Sequence, residues 1–116
     1  MITVAIVDDN RLVREALTAM LDRVADVHVV AAGVADETFM DEARPDVVLL
    51  DVGLGDADSL RVAGALTKHA SAPKVIVMDL IPMNEDIVQF VNAGVSGFVL
   101  KDATFDEFVA TIRAVA

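Results

Sequence analysis

Cysteine is absent from this 116-residue chain, which excludes disulfides and thiolate metal centres. Cations are scarce: nine Lys and Arg face nineteen Asp and Glu, for a formal net charge of −10. Phosphate contact needs clustered basic residues, so nucleic acid is a poor direct partner. No apolar run reaches membrane-spanning length, so no membrane association is expected. The opening MITVAIVDDN has no basic region and enters a strand at once. A signal peptide is therefore not expected, and the cytoplasm is the expected compartment. Repeats, low-complexity tracts and interdomain linkers are also missing, so residues 1–116 read as one domain.

What remains is a core-rich composition. Hydrophobic residues make up 55% and the mean hydropathy is +0.56, which suits a sheet buried on both faces. Short β-branched runs occur at 3–7, 27–32, 47–50, 75–78 and 97–100. Helical patterns lie between them. In the first, Leu12, Ala16, Leu17, Met20, Leu21 and Val24 share one expected face. Further helices are expected at 36–43, 59–69, 84–93 and 104–116. Asn10 and Asp36 are expected N-caps. Thr104 with Glu107 forms a capping-box pattern. Gly94 stands where a left-handed C′ residue would end a helix. Pro45 and Pro73 each precede a strand. The alternation predicts an α/β fold with five βα units, a parallel sheet and helices on both faces.

Such sheets carry their sites at the carboxyl ends of the strands. There the polar residues gather. Asp8 and Asp9 follow the first strand, Asp51 the third, Asp79 the fourth and Lys101 the fifth. Each alone is weak: an acidic pair after a strand is often a cap or turn, and a lone lysine is usually solvated. Together they place four carboxylates and one ammonium in a small cleft. Packed carboxylates repel, so a hard divalent cation such as Mg²⁺ is the expected counter-charge. An aspartate beside such an ion is a competent nucleophile toward phosphoryl groups.

The segments VAIVDDNRLVREALTAML, PDVVLLDVGLGDADSL and AGVSGFVLKDA resemble the receiver domain of two-component response regulators over essentially the whole chain. The last is most similar to the NarL/FixJ (LuxR) type. The resemblance implies a doubly wound, flavodoxin-like, CheY-like sheet of strand order 2-1-3-4-5. It implies that Asp51 accepts phosphate from a histidine kinase. Mg²⁺ would be held by Asp8, Asp9, Asp51 and the backbone carbonyl of Gly53. Lys101 would contact the phosphoryl oxygens, and Phe98 would be the aromatic switch residue. A homodimer is a further implied state, with output through the fourth helix, fifth strand and fifth helix. Ile87, Val88, Val91, Phe105, Phe108, Val109 and Ile112 are expected core or interface positions there. The resemblance also implies a helix-turn-helix domain beyond Ala116, the only route to DNA. A receiver of this kind is not an enzyme beyond catalysing its own phosphorylation and dephosphorylation.

Several positions depart from the pattern. Asp79 replaces the usual Ser or Thr, and an ionised carboxylate cannot donate the hydroxyl's hydrogen bond. At an effective dielectric of about 20, two unit charges ~4 Å apart interact by roughly 4 kcal/mol, which would oppose a phosphoryl dianion. Asp79 is open to three roles: pairing with Lys101, phosphorylation in a protonated or metal-bound form, or signalling without phosphate. In the acceptor loop, Gly55 replaces Pro and Ser59 replaces Gly. Asp56 and Asp58 add charge, Asp58 as a helix cap. Phe98 lacks a switch tyrosine's hydroxyl. A phosphatase is disfavoured because Gly53 stands where a second Asp would be needed. A flavodoxin-type cofactor carrier is disfavoured because Asp8-Asp9-Asn10 is not a glycine-rich phosphate loop. His28 and His69 are expected surface residues.

Overall fold

The computed structural model describes residues 1–33, 37–51, 59–80 and 84–116, with 37–39, 79–80 and 84–86 described by their backbone alone. The chain runs β1 (Ile2–Val7), α1 (Arg11–Leu21), β2 (Val27–Gly33), α2 (Glu37–Ala43), β3 (Val47–Asp51), α3 (Ser59–Thr67), β4 (Lys74–Leu80), α4 (Asn84–Asn92), β5 (Gly97–Leu100) and α5 (Phe105–Val115). The strands form one parallel sheet in the order β2-β1-β3-β4-β5, the expected fold class and topology.

Strand residues alternate between two cores. Ala5, Val7, Val48, Leu50, Val75 and Val77 pack on the side of α2, α3 and α4. Val4, Ile6, Val47, Leu49, Ile76 and Met78 pack on the side of α1 and α5. Both sets are buried, which explains why the strands read as unbroken apolar runs.

The register of β1 against β3 is held at their N-terminal ends. Thr3 N donates to Asp46 Oδ2 at 3.0 Å. The Asp46 amide donates to Thr3 Oγ1 at 2.9 Å and to Thr3 O at 3.0 Å. At β4 and β5 the ladder shifts register between Val77 and Leu80, so the Asp79 backbone falls within an irregular stretch of strand.

Helix α1 is rotated from the expected face. Leu12 is 73% and Met20 43% exposed, and Ala16 is exposed. Leu21 is buried, with Leu17 and Val24 packed against the same core. At about 100° per residue, the Leu12–Ala16–Met20 row flanks the inward row, so one broad apolar arc held two separate stripes. On the face expected to carry output, Phe108, Val109 and Ile112 are core residues, and Ile87 and Phe105 pack partly against the cores. Val88 and Val91 are more than half exposed.

Caps behave as the residues dictate. Asn10 Oδ1 accepts from Val13 N at 3.2 Å, and Thr104 Oγ1 accepts from Glu107 N at 3.1 Å. The expected cap at Asp36 lies outside the described residues. Helix α4 ends in a Schellman motif: Val95 N donates to Phe90 O, Gly94 N donates to Val91 O, and Gly94 has φ +97°. Arg44 and Ala72, each just before a proline, also have positive φ, 43° and 49°. A pre-proline residue is expected to be extended; here each reverses the chain between a helix and its next strand.

His69 is not a solvated surface residue. Its Nε2 lies 2.7 Å from Asp41 Oδ1 and its Nδ1 accepts from Ser71 N at 3.1 Å, joining the end of α3 to α2. His28 is exposed as expected. Arg113 on α5 grips Asp26 with two hydrogen bonds of 2.9 and 2.8 Å.

Two outcomes follow from this packing. A Cβ at Gly64, inside α3, would meet nothing within 4 Å. Gly64→Ala therefore stabilises by about 0.5–1 kcal/mol in urea unfolding, through helix propensity and unfolded-state entropy. The hydrogen bond from Arg113 holds the Asp26 carboxyl below its ordinary value of 3.8. A lowered folded-state pKa gives stability above the ordinary value, lost as pH falls through the folded one. Wild type is therefore more stable than Arg113→Met at neutral pH, and the gap narrows in thermal melts as pH falls below the ordinary carboxylate value of 3.8.

Candidate functional site

The site is assembled by strand parity. Val4, Ile6 and Val47, Leu49 share one face, and alternation carries Asp8 and Asp51 to that same face. Val7 pairs with Leu50, so the next residues in register are Asp8 and Asp51. Their carboxylate oxygens and that of Asp9 all lie within 4.8 Å of one another.

Each acid is held differently. Asp8 is buried, at 3% exposure. Its amide donates to Gly33 O at 3.1 Å, and its Oδ1 accepts from Asn10 N at 2.8 Å. That local bond is an Asx turn, which fixes the side chain as the strand gives way to α1. Arg14 Nη1 donates to Asp8 O at 2.7 Å. Asp9 is exposed. Asp51 ends β3, partly buried. Its carbonyl accepts from Ser59 Oγ at 3.2 Å, and Ser59 is itself buried.

These acids border a cleft of about 510 Å³ whose apolar walls include Val13, Met78, Val99 and Phe108. Lys101 also lines it. It lies one residue past β5 in an exposed turn closed by Ala103 N donating to Leu100 O at 3.1 Å. Among the described residues, the three salt bridges do not include Lys101. Phe98 is partly buried and packs against the α2–α3–α4 core. Asp79 belongs to β4 rather than following it; its side chain lies outside the described residues. Gly53, Gly55, Asp56 and Asp58 lie outside them too.

The donor set fits a hard divalent cation. Octahedral Mg²⁺ with oxygens at about 2.1 Å spans roughly 4.2 Å between opposite ligands, so small side-chain movements bring these carboxylates to one ion. A softer metal would call for nitrogen or sulfur donors. Missing from the sequence reading were Arg14 and the hydroxyl of Ser59. Both act on backbone carbonyls, an interaction that leaves no residue-spacing signature.

Comparison with known proteins agrees with this geometry. The family model for the response regulator receiver domain matches residues 4–113. Response regulator GacA of Pseudomonas aeruginosa is 33% identical over 118 residues, covering 99% of this chain and 55% of that protein. Transcriptional regulatory protein KdpE of Mycobacterium tuberculosis is 36% identical over 115 residues, covering 98% and 50%. The chain thus spans about half the length of the curated relatives it matches. A LuxR-family two-component response regulator from an Aurantimonas species superposes with TM-score 0.89 at 24% identity, over 99% of this chain and 84% of that one, a likeness of fold. No described helix is long and apolar enough to cross a membrane.

Removing one carboxylate should relieve repulsion and weaken the metal site together. Asp51→Asn is expected to gain roughly 1–2 kcal/mol of stability in chelator, after allowance for partial exposure. It should also lose most of the Mg²⁺-dependent rise in melting temperature. Thermal melts with and without Mg²⁺ measure both; a wild-type response in the variant would count against the cluster.

Proposed function

Since this chain belongs to the response regulator receiver family, we propose that Asp51 accepts a phosphoryl group from a histidine kinase and so switches a transcriptional regulator. The observation that carries this reading is the convergence of Asp8, Asp9 and Asp51 at the mouth of one cleft. In the proposed reaction an Asp51 carboxylate oxygen attacks phosphorus. The phosphorus–nitrogen bond of the donor phosphohistidine breaks, and the imidazole leaves with the electron pair. Bound Mg²⁺, held by Asp8, Asp9, Asp51 and the Gly53 carbonyl, would neutralise charge on the phosphoryl oxygens. Asp8 is held in place by its turn, and Asp9 supplies charge at the solvent side. Lys101, on a flexible stem at the cleft edge, reaches the phosphoryl oxygens as a point charge. Phe98 is the switch aromatic, repacking against the core it already touches. The domain acts as a signalling module rather than a turnover enzyme. It works in the cytoplasm as a possible homodimer, and DNA is reached only through an output domain beyond residues 1–116.

The identity of residue 79 favours a second reading. Asp79 offers a negative charge where the family uses a hydroxyl, so the phosphorylated form gains no hydrogen bond there. On that reading the domain is a phosphorylation-independent interaction or ligand-binding module.

Intact mass after incubation with Mg²⁺ and a small phosphodonor separates the two. The leading reading expects one added phosphoryl group on wild type and none on Asp51→Ala. It also expects a larger or longer-lived phosphorylated fraction in Asp79→Thr. Wild type that stays unmodified while Asp79→Thr gains the group establishes the second reading instead.

A further inference from the structure

We infer that Arg14 is the positioning residue of the acidic turn, setting the aim of the Asp8 carboxylate through the Asp8 backbone. The inference rests on the reading of Asp8, Asp9 and Asp51 as a metal site. Arg14 lies in the first turns of α1, where its amide donates to Asn10 O at 3.1 Å. Its half-buried side chain turns back along the helix, as helical side chains do. There Nη1 meets Asp8 O at 2.7 Å. Among the described salt bridges Arg14 takes no part; a guanidinium in a strongly acidic chain is spent on a neutral carbonyl.

The choice of partner has a mechanical meaning. Asp8 is the hinge between β1 and α1. Its amide is tied to the sheet through Gly33 O, and its side chain is tied to the helix start through Asn10 N. The Asp8–Asp9 peptide, which carries the Asp8 carbonyl, sets the direction of both carboxylates. Arg14 fixes that peptide from the helix side. A second consequence is electrostatic: a guanidinium bonded to the Asp8 carbonyl adds positive charge beside the acidic turn before any cation binds. The two effects oppose each other for metal affinity. Fixing the turn raises it, whereas a neighbouring cation lowers it. The charge-assisted bond is short and part-buried, whereas the charge itself is partly screened by solvent, so positioning dominates.

Mg²⁺ titration followed by the amide signals of Asp9 and Asn10 tests this on wild type, Arg14→Met and Arg14→Lys. Melting temperature in chelator is recorded for each. Metal ligands' supporting partners are typically worth 10–100-fold in affinity. Arg14→Met should therefore weaken Mg²⁺ binding by about 10-fold or more, while its metal-free fold still gives the wild-type amide pattern away from the turn. Arg14→Lys, which keeps a donor and a charge, should recover most of the loss. Wild-type affinity in Arg14→Met overturns the inference alone and leaves the metal site standing. Equal loss in both variants, matched by equal loss of metal-free stability, overturns it in favour of a plain packing role. A wild type that does not respond to Mg²⁺ overturns the metal site and the inference together.

Discussion

The reciprocal pairing of Thr3 with Asp46 is the constraint on which the site depends. Their three hydrogen bonds lie at the ends of β1 and β3 farthest from the acids. They fix which residue of β1 faces which residue of β3. A slip of one residue would turn every side chain to the other face. Val4 and Ile6 would then leave the α1–α5 core, and Asp8 would no longer stand beside Asp51. The side chain of Asp46 thus governs chemistry several residues away along the same two strands. Burial reinforces it, since both faces of the sheet are filled and neither tolerates a misplaced polar group.

The site that results is under electrostatic load. Asp8 is almost wholly buried yet lies among carboxylates. Its surroundings answer with directed donors: the Asn10 amide on the carboxylate and Arg14 on the carbonyl. Ser59 does the same for the Asp51 carbonyl. These contacts hold backbone in place and leave the acids aimed into a shared cleft. The excess of negative charge across the chain is a background to this local arrangement.

Much of this was legible in the residues. The inner strands β1, β3 and β4 show as unbroken apolar runs and the edge strands β2 and β5 as mainly apolar ones, so all five are located to within a residue or two. The acids were found because each follows a strand, and parallel topology sends all strand ends to one edge. Other features left weaker traces. The α1 arc was broad enough to contain two stripes, and periodicity gives spacing without phase. The Thr3–Asp46 pairing joins residues 43 apart, with no local pattern to announce it. The contact of His69 with Asp41 leaves no local pattern either, because the two are 28 residues apart. Asp79 was expected just after its strand, whereas β4 continues through Leu80, across the register shift beside β5.

The strand order β2-β1-β3-β4-β5 also has a meaning in time. β1 is made first and lies inside the sheet. β2 and then β3 dock on its two edges, and β4 and β5 extend the β3 side in the order in which they are synthesised. Each new strand meets an edge that earlier chain has already supplied, and waits only for its own crossover helix. Parallel sheets close slowly because their contacts are distant in sequence. In this topology the β1–β3 register that aligns Asp8 with Asp51 uses only chain that precedes β4 and β5, so the acidic pair belongs to the part of the sheet that is synthesised first.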